Sequence, residues 1–286
     1  MQLFSFHKEQ RPEIKYSMIK ALITFLNLMI LSLIILIYNP IVKEQLIAFN
    51  NIFILKYIPS ILPFLLINNL LCRFIDFKLV YYFFTKRKLN LFFDLIIIYF
   101  FLLSGLPGGV SLLNKLEINQ IYSKEKINSI INSFGTISLP FIYFSTNKNW
   151  YFILLLITFN LINYLTTNSK LNNHLKEIKN TSFSIPKTIC ISLINLYIFV
   201  VLRILITIPF INIFDFNLIT LLSGLFESSY SSIILFNKNE ILLTIFLLSF
   251  TSFTMIYQTY KLYPYMNIKS FIKKRLITAL LIIIFY

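Results

Sequence analysis

The residues best suited to chemistry in this chain are small or charged ones set inside long apolar runs. Ser104-Gly105-Leu106-Pro107-Gly108-Gly109 packs three glycines, a proline and a serine into one short stretch. A helix breaks there readily, because proline lacks the N–H donor and glycine tolerates φ > 0. A half-helix that starts after such a break aims free N–H groups and a positive dipole end at what lies ahead, which suits an anion. The stretch lacks the lysine of a nucleotide-binding loop. Its serine has no histidine to activate it, since His7 and His174 both fall in polar segments.

A second group surrounds Glu227, which follows Gly224 inside an apolar run and precedes Ser228, Ser229, Ser231 and Ser232. A carboxylate there is costly and therefore a functional candidate, either exchanging a proton or pairing with a cation. Arg203 is the candidate partner for Glu227 or for an anionic substrate. Ser138, Thr254 and Gln258 add hydrogen-bonding groups, and Pro140 removes a donor. The expected substrate-binding set is Ser104, Gly105, Pro107, Gly108, Gly109, Ser138, Pro140, Gly224, Glu227, Ser228 and Gln258, with Arg203 as charge partner. Asp76, Asp94 and Asp215 stand near the ends of apolar runs and read as interfacial. Cys72 and Cys190 have no CxxC or histidine partner, so no metal site, cofactor or catalytic residue is expected, and the chain does not read as an enzyme.

These groups need elements to hold them. Of 286 residues, 57% are hydrophobic and 13% charged, and mean hydropathy is +0.77. The apolar residues come in blocks near the roughly 20 residues of a spanning helix. They fall around 18–38, 51–75, 90–106, 132–146, 150–167, 188–211, 213–236, 241–260 and 268–286. The expected fold is an all-α polytopic membrane protein with about seven to ten membrane segments. The abundance of Ile, Phe, Tyr, Asn and Lys beside so few glycines reads as an AT-rich coding bias. Met18–Tyr38 lacks a small-x-small cleavage pattern and reads as an uncleaved first span.

The net charge of +15 does not point to nucleic acid, because the basic residues gather between apolar blocks. Four basic regions (Lys8 to Lys20, Arg73 to Lys88, Lys170 to Lys187, Lys261 to Arg275) belong on the cytoplasmic side, together with the N-terminus. Residues 90–147 then make one net outward crossing and 213–260 one net inward crossing, so each holds a broken or re-entrant helix. The expected divisions are an N-terminal basic segment with first span and connector (1–50), a first repeat (51–167), a basic loop (168–187) and a second repeat (188–286).

Both repeats carry one pentapeptide: Leu102-Leu103-Ser104-Gly105-Leu106 matches Leu221-Leu222-Ser223-Gly224-Leu225. Ser133-Phe134 and Ser249-Phe250 follow at similar distances, each opening a segment of mixed Ser or Thr and apolar residues. All five glycines (Gly105, Gly108, Gly109, Gly135, Gly224) lie in the two regions. The first copy crosses outward and the second inward, which makes the repeats inverted, as in secondary transporters whose site lies at the breaks. The other reading of the glycines is close helix–helix packing.

With these residues in view, the chain resembles the YlbJ (SpoVV) family of sporulation integral membrane proteins, which carry a gate or nucleoside-recognition type of membrane domain. The resemblance covers about 41–286. It runs through Pro59-Ser60-Ile61-Leu62-Pro63-Phe64, Ser104–Gly109, Ser138-Leu139-Pro140-Phe141, Gly224-Leu225-Phe226-Glu227, Ser249–Gln258 and Phe271–Leu276. Thr136-Ile137 replaces the family's paired asparagines, and Ile256-Tyr257 its residues before the glutamine. The resemblance implies a multi-pass protein of the mother-cell membrane around the forespore, exporting dipicolinate, a small planar dianion. The alternatives are a non-transporting scaffold for spore-envelope assembly, with helices packed at the glycines and no polar cavity, and a nucleoside transporter. The expected partners are the anionic solute and the lipid bilayer; oligomeric state, energy source and direction stay open.

Overall fold

The computed structural model describes residues 22–166, apart from 28, 31 and 34, and 185–286, apart from 211 and 212. The N-terminal basic segment, most of the 168–187 loop and both histidines lie outside the described residues. Within them the chain is helical, with no strand.

After a helical stretch at 22–37, α1 (Asn39–Ile52) runs through a π-helical turn (Phe53–Tyr57) into α2 (Ile58–Phe74). Pro40 sits in the first turn of α1, where a missing N–H costs nothing. Pro59 follows the π-helical turn inside the continuous Asn39–Phe74 helix, where irregular backbone accommodates it. The short α3 (Phe77–Lys86) is capped by Asp76, which accepts from Lys78 N and Leu79 N. Two series of similar plan follow. The first is α4 (Asn90–Ser104), a break, α5 (Val110–Ile118), a turn, α6 (Lys124–Phe134), a break, α7 (Leu139–Ser145) and α8 (Trp150–Leu165). After α9 (Ile185–Thr207) the second is α10 (Phe216–Phe226), a break at Glu227, α11 (Ser228–Asn237), a turn, α12 (Ile241–Phe250), a break, α13 (Phe253–Leu262) and α14 (Ile268–Phe285).

Hydrogen bonds close each hairpin on itself. Tyr122 donates to Asp94 near the start of α4, and Lys126 Nζ lies 2.7 Å from the same carboxylate. In the second series Asn217 Nδ2 donates to Glu240 Oε1 at 2.7 Å, joining the start of α10 to the end of its return. Helices α6, α8, α12 and α14 pack together at the centre; α4–α5 lies against α2, and α10–α11 against α12.

Two helices are long and apolar enough to cross a membrane: Asn39–Phe74, with 36 residues, and Ile241–Leu262, with 22 and interrupted at Thr251 and Ser252. Asn90–Ser104, Trp150–Leu165, Tyr197–Thr207 and Phe216–Phe226 are shorter apolar helices. Large apolar side chains cover the outside, with Leu55 and Leu91 each about three-quarters exposed, while asparagines, serines and Arg275 are buried within. An apolar exterior of this extent marks contact with something other than water.

Candidate functional site at the helix interruptions

The first interruption begins where α4 ends. Gly105 has φ 61°, a conformation that costs glycine little and other residues much. A Cβ at Gly105 would collide with the backbone of Ser138. Leu106 N donates to Thr136 O at 2.9 Å, so the hairpin tip rests on the break between α6 and α7. Ser104 Oγ accepts from Asn68 Nδ2 at 2.8 Å and donates to Phe100 O. The expected anion cradle is partly filled from within: Gly109 N donates to Gly105 O and Val110 N to Pro107 O. Added methyl groups at Gly108 and Gly109 would strike Leu65 and Phe101, so these two glycines serve close helix packing. Ser138 caps α7 by accepting from Phe141 N, with Pro140 in its first turn.

The second interruption falls at the end of the expected Gly224–Glu227 stretch. Gly224 lies inside α10, held against Leu247 and Ser231, and the break is Glu227 alone. Glu227 is 2% exposed, and its two oxygens accept from Ser229 N (2.8 Å) and Tyr230 N (3.1 Å) as the N-cap of α11. Tyr57 interacts with Glu227 and Ser229, and its ring stands edge-on to Phe141 of α7 at 5.2 Å. The two series thus meet across one tyrosine.

Arg203 does not form the expected ion pair. It interacts electrostatically with Glu227, yet Lys126–Asp94 is the pair found within 4.0 Å among the described residues. Arg203 Nε donates to Ser223 Oγ at 3.0 Å, and its guanidinium lies 5.0 Å from the Tyr230 ring centre. The residue stands one turn before the end of α9 at Thr207. Arg203, Thr207, Ser223, Glu227 and Thr254 line a cavity of about 530 Å³ with otherwise apolar walls.

A residue read from sequence as part of a cytoplasmic basic loop holds the centre. Arg275 is fully buried in α14. Its Nε donates to Ser249 O, one terminal nitrogen to Ser133 O, and both terminal nitrogens to Asn160 Oδ1, each at 3.1 Å. Ser133-Phe134 and Ser249-Phe250 do not open segments: they close α6 and α12, and Arg275 joins the two ends. A helix C-terminus carries about half a negative charge, so two of them offset roughly one guanidinium. Thr251 Oγ1 adds a bond to Gly135 O at 3.1 Å, tying one break to the other.

Around these breaks many buried polar atoms have no protein partner: Asn68 Oδ1, Asn132 Oδ1, Asn160 Nδ2, Gln258 Nε2 and the hydroxyls of Ser228, Ser231, Ser249 and Ser252. Such atoms are few in native interiors, and a cluster of them fits a place where a polar solute is held. The structure therefore brings Gly105 onto Ser138, and Arg203 to one cavity with Glu227, while Gln258 stands half-buried on α13. Comparisons with protein-family models, curated proteins and solved structures return no match. Among the described residues no group of three His, Cys, Asp or Glu side chains could hold a metal ion.

Proposed function

We propose that this chain is a multi-pass membrane transporter for a small organic anion. The membrane part rests on the large apolar side chains that cover the exterior, with serines, asparagines and two arginines buried among an apolar core. The crossings would be the 18–38 segment, α1–α2, α6–α7, α8, α9, α12–α13 and α14, with α4–α5 and α10–α11 as re-entrant hairpins. With Arg73, Lys86 and Lys88 on the cytoplasmic side, α4–α5 would open toward the cytoplasm and α10–α11, after one more outward crossing, toward the other face, which would make the repeats inverted.

The observation that carries the transport reading is the meeting of both interrupted helices at Arg275, among buried polar atoms without protein partners. Interrupted backbone at membrane depth is tolerated when it is buried in protein or lines a wet cavity. Two hairpins rocking about such a centre supply alternating access. Dipicolinate is the substrate that the family resemblance implies, exported from the mother cell toward the forespore.

One observation favours a second cargo. The unpartnered atoms are neutral amides and hydroxyls, which also suit a nucleoside. Uptake of labelled dipicolinate and labelled uridine into vesicles holding the pure protein decides between them. Dipicolinate accumulation competed by unlabelled dipicolinate and not by uridine is the expected result; accumulation of neither would sink the transport reading.

A further inference from the structure

The lining of the cavity beside Arg203 contains none of the groups that meet at Arg275, the centre on which the transport reading rests. Its walls are Leu202, Ile206, Phe210, Leu218, Leu222 and Phe226, from α9, the turn after it and α10. Ile206 is 60% exposed, Leu222 52% and Phe226 64%, so the cavity opens sideways through the apolar exterior and not toward either helix end. At its floor Arg203 is 7% exposed, one helical turn from the end of α9.

The charges at the floor are unequal in availability. Both oxygens of Glu227 are committed to the N-terminus of α11, whereas Arg203 uses Nε on Ser223 and has no carboxylate within 4.0 Å among the described residues. The first turn of α13, which contributes Thr254, receives no side-chain cap, and this adds a positive dipole end to the same wall. A cation at the floor of a laterally open apolar groove, near one end of the helices, matches a ligand with an anionic head and an apolar body.

We infer that this groove binds an anionic phospholipid of the surrounding membrane, its phosphate at Arg203 and one acyl chain along α9 and α10. The inference rests on the membrane reading and not on the identity of the cargo. The lipid would wedge between α9 and hairpin α10–α11, and so bias the position of that hairpin.

The test is native mass spectrometry of the detergent-purified full chain with added phosphatidylglycerol or phosphatidylcholine of the same chains. Wild type should retain phosphatidylglycerol about fivefold better, the preference ordinarily worth one basic group near a lipid head. Arg203→Gln should remove the preference and Arg203→Lys restore part of it. Ile206→Trp, which fills the groove and leaves the arginine, should lower retention of both lipids while circular dichroism stays native. Equal retention of the two lipids by wild type, an unchanged preference in Arg203→Gln, or displacement of lipid by free dipicolinate would each overturn the inference. Lipid retention is read without transport, so its failure is distinct from a failure of the uptake assay.

Discussion

The two hairpins reach one shape by different chemistry. In α4–α5 the chain turns on a glycine-rich loop, with Gly105 at positive φ and its tip pressed onto Ser138. In α10–α11 it turns on a single residue in extended conformation, and the side chain of Glu227 holds the start of α11. The first break depends on absent atoms, the second on a buried charge. A loop that works because nothing protrudes tolerates no addition. A turn that works because a carboxylate accepts two N–H groups tolerates any side chain that accepts them equally well.

Arg275 is where the comparison is easiest to break, because it serves both series. Arg275→Met leaves Ser133 O, Ser249 O and Asn160 Oδ1 buried without their donor. Removing one partner from a buried charged network costs about 3–5 kcal/mol, and thermal unfolding in detergent should show the largest loss here. Arg275→Lys keeps the charge without the planar fork and should fall between. Arg203→Gln removes one side-chain bond within the second series and should cost less than either. Equal losses for Arg275→Met and Arg203→Gln would mean that the two interruptions are not joined through Arg275.

That arginine also shows where sequence reading ran out. Apolar blocks foretold the helices, and the Ser-Gly-x-Pro-Gly-Gly run foretold the first break, because glycine and proline act on the backbone locally. The matched pentapeptide led to both hairpins, and within the Gly224–Glu227 stretch the turn falls at Glu227, since Gly224 is a packing residue inside the helix. Arg275 follows Lys269, Lys273 and Lys274 and shares their look; only tertiary packing distinguishes the buried member. The signal that could have found it was the repeat itself, whose Ser133 and Ser249 supply the two carbonyls it binds. Asn68, Asn132 and Asn160 were passed over because an asparagine-rich composition made each look ordinary.

Within the hairpins, Gly105→Ala should cost more than Gly224→Ala. The first forces a strained φ, worth about 1–3 kcal/mol, and drives a methyl group into the Ser138 backbone. The second meets the end of the Leu247 side chain, which can shift, and the Cβ of Ser231, which moves only with its helix. The loss should therefore be about 1–3 kcal/mol from overpacking, without the added φ strain. The reverse order in paired thermal melts would mean that the first tip is not seated on the α6–α7 break. Glu227→Ala should lose about 0.5–2 kcal/mol as a missing cap, with Glu227→Gln retaining part. If Glu227→Gln melts near wild type but halts uptake, the carboxylate acts in transport beyond its capping role.

The smallest effect concerns the end of the first hairpin. Glu117 closes α5 beside Tyr263, and burial raises its pKa, opposed by Lys124 and by a hydrogen bond with Tyr263. The folded chain therefore holds this proton more tightly than the unfolded chain does. Stability from this group is greatest in acid and declines as pH rises through and just above the ordinary carboxylate range. Glu117→Gln should flatten that part of the profile, read as the change in melting midpoint with pH. The position is half-buried, so the slope is small, and it isolates the α5 end from the centre at Arg275. An identical slope in wild type and Glu117→Gln would place the acid-sensitive contact elsewhere. A slope that vanishes in Glu117→Gln while hairpin α10–α11 is untouched would show that the α5 end titrates independently of the second series, although Arg275 joins α6 of the first series to α12 of the second.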